Sequence, residues 1–236
     1  MKLSIIIPLF NEQKTILKLL EKVSSISIPK VNKEIIIVDD GSSDGSYELL
    51  QKYVKKKQGM SVLRHKENKG KGSAVATGIQ KASGDYILIQ DADLEYDPVY
   101  IPKFIKALGQ NRVVYGTRLN RFPNFLKDEK NPLFFLHYIG NRLLSLLTSL
   151  LYGQWITDME TGYKLFPKIA LENIKLNARG FDFEPEITAK LIKKRYRILE
   201  IPISTTPRGY DEGKKLNTVS DGIIAFWTLI KYRFIS

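Results

Sequence analysis

The chain has 236 residues, of which 43% are hydrophobic and 26% charged, a composition typical of a globular protein with one large or two small domains. It contains no cysteine and two histidines, His65 and His137, which excludes disulfide frameworks, thiolate zinc sites, cysteine nucleophiles and histidine-rich metal centres. The formal net charge of +12 at pH 7 favours anionic partners, such as nucleic acid, an acidic membrane surface or phosphorylated ligands.

Short β-branched runs alternate with stretches of helical periodicity in the first half of the chain. In chain order we predict strand 4–8, helix 12–23, strand 34–38, helix 43–53, strand 61–63, helix 72–82, strand 86–90, helix 98–108 and strand 112–115. This alternation predicts an α/β fold in which a mostly parallel sheet has helices on both faces. Such sheets bind ligands at the carboxyl ends of their strands, where the polar segments 10–12, 39–41 and 91–93 would lie.

The pattern changes after residue 118. We predict a polar loop 118–131, a long helix 133–151, a polar loop 155–164, a helix 185–194, a strand 197–203, a basic loop 205–217 and an amphipathic C-terminal helix 219–234. The uncharged stretch between Arg142 and Asp158 is too short and too polar for a membrane span, and the N-terminus lacks the cleavage site of a signal peptide. We therefore expect a protein that is cytosolic or peripheral at a membrane, and not integral.

Two aspartates directly after a predicted strand indicate a metal site. Asp91 and Asp93 are alternate residues of an extended segment, so both carboxylates can face one point. Carboxylates placed in this way repel each other, and their hard oxygens suit Mg²⁺ or Mn²⁺. The competing interpretation is a helix cap beside a solvated acid, which is the role we expect for Asp97. An EF-hand is not favoured, because Tyr96 stands where its glycine is required.

Other motifs carry weaker signals. A carboxylate of Asp39 or Asp40, at the end of strand 34–38, could accept a hydrogen bond from a base or a ribose. The Gly-x-Gly segment 70–72 fails as a dinucleotide fingerprint and fits a helix N-terminus packed near a nucleotide. Basic residues in the loop 205–217 could clamp a diphosphate or belong to a surface loop. The two histidines have no partner at ligand spacing, which favours packing or surface roles.

Nine segments carry the most specific signal. Those of the first half are SIIIPLFNE, IIIVDDGSSDGS, NKGKGSAVATG and DADLEYDP, and those of the second half are YGTRL, HYIGNRLLSLLTSLLYG, TDMETGYKLF, FDFEPEITAKL and IPISTTPRGYDEGKKL. Together they resemble glycosyltransferase family 2, and the second half resembles its dolichyl-phosphate mannose synthase branch. The resemblance implies a single domain of the Rossmann-like GT-A fold. Residues 1–117 would bind a nucleotide sugar, residues 118–217 would bind the acceptor, and residues 218–236 would form the amphipathic helix.

The resemblance also implies roles for individual residues. Nucleotide-sugar-binding residues would be Pro8, Phe10, Glu12, Asp39, Asp40, Lys71, Asp91, Arg208 and Lys214. The metal ligands would be Asp91, Asp93 and Glu95, and the catalytic residues Asp93, Arg118, Asp158 and Glu160. Arg118 would bind the acceptor phosphate, and the candidates for a second phosphate-binding residue are Arg121, His137 and Arg142.

The branch implies an inverting transfer of a hexose from a GDP- or UDP-sugar to a dolichyl or undecaprenyl phosphate. A phosphate acceptor is already anionic near pH 7, so this reaction needs no strong general base. An enzyme of the same family with a saccharide or other hydroxyl acceptor would need a carboxylate base at Asp158 or Glu160. A nucleic-acid binder is suggested by the charge alone and lacks a recognised motif. We expect a nucleotide sugar, a polyprenyl phosphate and a membrane surface as partners, and no nucleic acid.

Overall fold

The structure is a computed structural model that describes residues 1–55, 57–119, 132–205 and 218–235. Its strands are β1 (Lys2–Leu9), β2 (Asn32–Asp39), β3 (Met60–Arg64), β4 (Tyr86–Ile89), β5 (Arg112–Thr117), β6 (Lys164–Pro167) and β7 (Arg197–Pro202). Its helices are α1 (Ile16–Ser25), α2 (Ser46–Val54), α3 (Lys71–Lys81), α4 (Ile101–Lys106), α5 (Pro132–Tyr152), α6 (Phe183–Lys193) and α7 (Thr218–Phe234). Short 3₁₀ turns lie at Pro98–Tyr100 and Lys168–Leu171.

The strands form one sheet in the order β3-β2-β1-β4-β6-β5-β7. Strand β6 is antiparallel to both of its neighbours, and the other pairs are parallel. The predicted α/β fold with a mostly parallel sheet is confirmed. Strand β6 was not predicted, because its first residues follow directly on a polar loop and the strand is four residues long.

Successive residues of the central strand β1 face opposite sides of the sheet, as the twofold repeat of a strand requires. Ile5 packs with Leu20 of α1 in one core, and Ile6 packs with Ala74 of α3 in the other. Both faces of β1 are therefore covered, which explains why its sequence is a continuous apolar run rather than an alternating one. The register pairs Leu9 with Asp39, so the carboxyl ends of β1 and β2 lie at the same edge.

The start of helix α1 differs from the prediction for a local reason, whereas the cap expected at Asp97 is present. Helix α1 begins at Ile16 instead of residue 12, since Asn11 has a φ of 52° and the Glu12 carbonyl accepts hydrogen bonds from the amides of Thr15 and Ile16. The chain thus turns between β1 and α1 before the helix begins. Asp97 accepts a hydrogen bond from the Val99 amide at 3.0 Å, which is the capping role expected for it.

Helices α5, α6 and α7, which all belong to the second half of the chain, pack against one another. Helix α7 buries Ala225 and Leu229, and the Tyr152 hydroxyl of α5 donates to the Leu229 carbonyl at 2.7 Å. The opposite side of α7 exposes Ile223 and Trp227. The C-terminal helix is present, but its exposed side is itself apolar, so the expected amphipathic pattern is not confirmed. Within the described ranges, no helix has the length and apolar character needed to cross a membrane.

Candidate functional site

Lys71 joins three elements at the carboxyl edge of the sheet. It is the first residue of α3, and its Nζ lies 2.9 Å from Asp91 Oδ1, after β4, and 2.9 Å from Glu184 Oε1, in the first turn of α6. Burial alone would lower the pKa of Lys71, but Asp91 and Glu184 outweigh burial and hold that pKa well above its usual value. Lys71 is therefore a permanent cation between two carboxylates.

Glu184 is a site residue that the sequence analysis missed. An acidic residue in the first turn of a helix is ordinarily explained by the helix dipole, and this one has no other local signal. Its Oε1 binds Lys71, while its buried Oε2 has no hydrogen-bond partner among the described residues. Only the contact with Lys71, more than a hundred residues earlier, marks Glu184 as part of this cluster.

The segment 157–162 closes over the same cluster. A Cβ at Gly162 would collide with Asp91 Oδ2 and lie 2.8 Å from Lys71 Nζ, so a side chain there would have to displace the ends of these two side chains. The Gly162 amide donates to the Tyr96 hydroxyl at 3.2 Å, and the Tyr96 ring stacks on Tyr163. These contacts place the turn against the predicted metal and donor residues.

Asp158, within the segment 157–162, forms a fixed pair with Arg118. The Asp158 carboxylate accepts from Arg118 Nε and backbone N at 2.8 Å each and from Nη2 at 2.7 Å. Asp158 is fully buried, and Arg118 lies 6.0 Å from the centre of the Tyr96 ring. Burial alone would raise the pKa of Asp158, but Arg118 outweighs it and holds that pKa below its usual value. Glu200 accepts hydrogen bonds from the Thr157 and Asp158 amides and anchors the turn from behind.

Glu160 is in a different state from Asp158. It is partly exposed, and its buried Oε1 has no hydrogen-bond partner within the described part of the chain. Burial, followed by the charge of Glu184, raises the pKa of Glu160 to about 8. The two carboxylates predicted as alternative bases are therefore distinct, since Asp158 is committed to Arg118 while Glu160 favours the protonated form near pH 7.

The predicted metal ligands are only partly brought together. Asp91 is paired with Lys71, and Asp93 Oδ1 accepts from the Glu95 amide at 3.0 Å. Across residues 1–55, 57–119, 132–205 and 218–235, no three acidic or histidine side chains converge as ligands of one ion. The chemistry of Asp91 and Asp93 still fits a hard divalent cation, because Mg²⁺ commonly takes one or two carboxylates and completes its shell with substrate phosphates and water.

The two aspartates after β2 are engaged with protein groups. Asp39 Oδ2 lies 3.2 Å from Arg64 Nε. Asp40 accepts from the amides of Lys69, at 3.0 Å, and Gly70, at 2.7 Å, and its Oδ1 lies 2.6 Å from His65 Nδ1. Asp40 thus ties the end of β2 to the N-terminus of α3, and the partly buried His65 completes the link, since its Nε2 lies 2.9 Å from Thr77 Oγ1 of α3.

The remaining predicted residues fall in three places. Pro8 is buried in β1, Phe10 follows the strand, and Glu12 Oε2 accepts from Thr15 Oγ1 at 3.0 Å. Arg142 of α5 donates to the carbonyl of Leu119, next to Arg118, and His137 lies on the same helix. Arg121, Arg208 and Lys214 lie outside the described residues.

Comparison with known proteins identifies the family. The model of glycosyl transferase family 2 matches residues 4–175. A dolichol-phosphate mannosyltransferase of Pyrococcus furiosus is 31% identical, over 98% of this chain and 64% of that longer protein. A UDP-N-acetylglucosamine–dolichyl-phosphate N-acetylglucosaminyltransferase of Methanococcus voltae is 30% identical, over 96% of this chain and 94% of its own length.

Solved structures agree on the fold. The crystal structure of glucosyl-3-phosphoglycerate synthase from Mycobacterium tuberculosis in complex with UDP superposes with a TM-score of 0.74 at 18% identity, covering 100% of this chain and 81% of that one. A complex of the same enzyme with Mn²⁺, UDP and glucosyl-3-phosphoglycerate gives 0.73 at 18% identity, again covering 100% of this chain and 81% of that one. The fold is therefore GT-A, and the chain belongs to glycosyltransferase family 2.

Proposed function

We propose that the chain transfers a hexose, with inversion, from a GDP- or UDP-sugar to a polyprenyl phosphate. The observation that carries the proposal is the Arg118–Asp158 pair. Asp158 accepts from Nε and from one N–H of Nη2, so a phosphate would be met by Nη1 and the second N–H of Nη2. One of the two carboxylates that could serve as a base is thus committed to holding the arginine. Both relatives described above are named for transfer to a dolichyl phosphate, and this supports the choice.

The protein groups would divide the reaction between them. Arg118 would orient the acceptor phosphate by charge-assisted hydrogen bonds. One phosphate oxygen would form the bond to the anomeric carbon while the bond from that carbon to the diphosphate breaks, and the nucleoside diphosphate would leave. Asp91 and Asp93 would hold Mg²⁺ or Mn²⁺, which when bound neutralises the leaving diphosphate. Lys71 would orient the Asp91 carboxylate through their ion pair.

The donor pocket would lie at the ends of β1 and β2, in the proposed donor half, residues 1–117. Pro8, Phe10 and Glu12 would line it with Asp39, while Asp40 would shape it by holding the N-terminus of α3. The acceptor half would be 118–217, and its basic loop with Arg208 and Lys214 would close over the phosphates.

The exposed apolar side of α5 and α7 would face a membrane on its cytoplasmic side. Leu143 and Leu150 of α5 are 61% and 75% exposed, and Trp227 of α7 is 62% exposed. Lys231 and Arg233 lie in the last turn of α7. Apolar residues beside basic ones favour an anionic lipid interface, which is where the chain of a polyprenyl phosphate resides.

A transfer assay tests the proposal. Radiolabelled GDP- and UDP-hexoses are incubated with a short-chain polyprenyl phosphate in detergent, with Mn²⁺ or with EDTA, and the organic phase is counted. We expect label in that phase, abolished by EDTA and by Asp93→Ala, and unchanged by Asp97→Ala, an aspartate that caps a 3₁₀ turn. Label that appears on a soluble saccharide and never in the organic phase would refute a lipid-phosphate acceptor.

The alternative is transfer to a hydroxyl acceptor, and one observation favours it. Glu160 is partly exposed and its Oε1 has no hydrogen-bond partner among the described residues, so this carboxylate could accept a proton from a hydroxyl. The two functions make opposite demands on Glu160, and a substitution there separates them.

A further inference from the structure

Lys164 is a fully buried lysine directly beneath the turn 158–162. It is the first residue of β6 and stands between Ile89 of β4 and Tyr115 of β5 in the register of the sheet. Its Nζ donates to the carbonyls of Met159, at 2.9 Å, and Thr161, and lies 4.0 Å from the centre of the Tyr115 ring. The two carbonyls flank Glu160, so one ammonium group forms hydrogen bonds to the turn on both sides of that residue.

Stability does not explain a lysine in this position. Removing an ammonium group from water is costly, and hydrogen bonds to carbonyls and an aromatic face only offset part of that cost. A complete buried ion pair can often be replaced by apolar residues of similar volume without loss of stability, so a buried charge is weak evidence of a stabilising role. Burial lowers the pKa of Lys164, whereas the charges of Glu184, Asp158 and Glu160 oppose this effect. Burial and the nearby carboxylates therefore act on the ammonium group in opposite directions.

The turn 158–162, which Lys164 binds, contacts both Arg118 and the Lys71–Asp91 pair. At one end Asp158 holds Arg118 by three hydrogen bonds, and at the other Gly162 lies against the Lys71–Asp91 pair. We infer that Lys164 is a positioning residue for sugar transfer. By fixing the turn 158–162, it sets the position of Arg118 relative to Asp91, the carboxylate on the donor side. The inference rests on the proposed function for the role of Arg118, but Lys164 would hold the turn in the same way with any acceptor.

Substitution of Lys164 separates positioning from stability. We expect Lys164→Met to fold with a lower Tm, because the Met159 and Thr161 carbonyls lose their donor. The variant should still bind the nucleotide sugar within about threefold of wild type and lose kcat by about 10²-fold, the usual effect of displacing a reacting group by about 1 Å. Lys168→Met is the matched control, because Lys168 also donates to a backbone carbonyl, that of Ala82 at 2.6 Å, at the far end of β6. Equal kcat in the Lys164→Met and wild-type enzymes would overturn the inference.

Because the chain has no cysteine, the ammonium group can be restored at this position alone. Lys164→Cys is unfolded, alkylated with 2-bromoethylamine to give a lysine analogue, and refolded; methyl methanethiosulfonate supplies a neutral adduct. We expect the aminoethyl adduct to recover at least a tenth of wild-type kcat and the neutral adduct not to recover it at equal Tm. If both adducts recover activity with Tm, or if neither does, Lys164 has only a structural role and the inference is wrong.

The acceptor is chosen so that the two proposals fail separately. Nucleoside diphosphate release is measured with polyprenyl phosphate, with soluble saccharides and with water. Wild-type turnover with a saccharide but not with polyprenyl phosphate contradicts the proposed function, and the Lys164 variants are then compared with that saccharide. A loss of kcat in Lys164→Met with either acceptor supports the positioning role.

Discussion

Asp158 binds Arg118 through both the guanidinium and the backbone amide of the same residue, so the side chain and the end of β5 are fixed together. The two residues are 40 positions apart in the chain, and Asp158 has no exposed surface. An arginine held in this way has lost most of its rotamer freedom before a ligand arrives, which reduces the entropic cost of binding a phosphate.

We expect Arg118→Ala to lower acceptor use and also stability. Removal of the arginine leaves Asp158 as an unpaired buried charge, at a cost of about 3–5 kcal/mol. The double variant Arg118→Ala, Asp158→Ala removes that charge, so it should recover much of the stability and none of the activity. Urea denaturation and initial rates over a range of acceptor concentrations measure the two effects. A double variant with wild-type kcat/KM for the acceptor would show that Arg118 does not bind it.

Asp40 makes a prediction that distinguishes two roles. It accepts from the Lys69 and Gly70 amides, which lead directly into Lys71. Asp40→Ala leaves the Lys69 amide without this acceptor and the Gly70 amide with Asn68 Oδ1 alone. We expect a loss of about 1–3 kcal/mol in stability together with weaker donor binding. If Asp40 instead contacted only the base of the nucleotide, donor affinity would fall at constant stability. Calorimetry of nucleotide binding and thermal unfolding of the free variant decide between the two.

Glu34 provides a test of the pH dependence of stability. Burial alone would raise the pKa of Glu34, but hydrogen bonds from Lys2, Ser4 and Ser83 outweigh it and lower that pKa to about 2. Because the folded-state pKa is lower than the unfolded one, the carboxylate stabilises the fold fully above pH 4.5, and this contribution is lost as the pH falls through about 2.

We expect Glu34→Gln to cost about 1–2 kcal/mol at pH 7, a shift of this size being reduced by solvent screening at a partly exposed site. The difference in unfolding free energy between the wild type and the variant should shrink as the pH is lowered from 5 toward 2. Denaturation with urea at pH 7, 5 and 3 measures it. A difference that stays constant over this range would mean that the charge of Glu34 does not contribute.

The fold could be predicted from local patterns, whereas much of the site could not. The buried run of β2 and the small-residue helix α3 are recognisable because hydrophobic periodicity is a property of neighbouring residues. Asp91 and Asp93 could be assigned to the ligand edge because they follow a strand.

The contacts that organise the site are long-range, and the sequence carries no local sign of them. Glu184 and Lys164 both have ordinary local explanations, as an acid in a first helical turn and as a polar loop residue. Their roles depend on Lys71 and on the turn 158–162, which the sheet brings to them. Asp40 was expected at the base of the nucleotide, and its bonds to Lys69 and Gly70 became visible only when the loop before α3 was placed.

Glu160 decides between the two acceptor classes. Its pKa of about 8 means that the side chain is mostly a neutral acid at pH 7, and Glu160→Gln replaces it with a neutral group of nearly the same shape. If the acceptor is a phosphate, which supplies its own nucleophilic oxygen, we expect kcat at pH 7 to stay within about threefold of wild type. A hydroxyl acceptor would need the carboxylate to remove its proton, so the same change would lower kcat by about 10²–10⁴-fold.

The pH profile adds a second criterion, because a base at Glu160 makes wild-type kcat rise as the pH passes 8, and the variant would lack that rise. Asp158→Asn is the matched control, and we expect it to impair either reaction because Arg118 loses a charged partner. A Glu160→Gln enzyme that is inactive with every acceptor, while its Tm and donor affinity match the wild type, would contradict transfer to a polyprenyl phosphate.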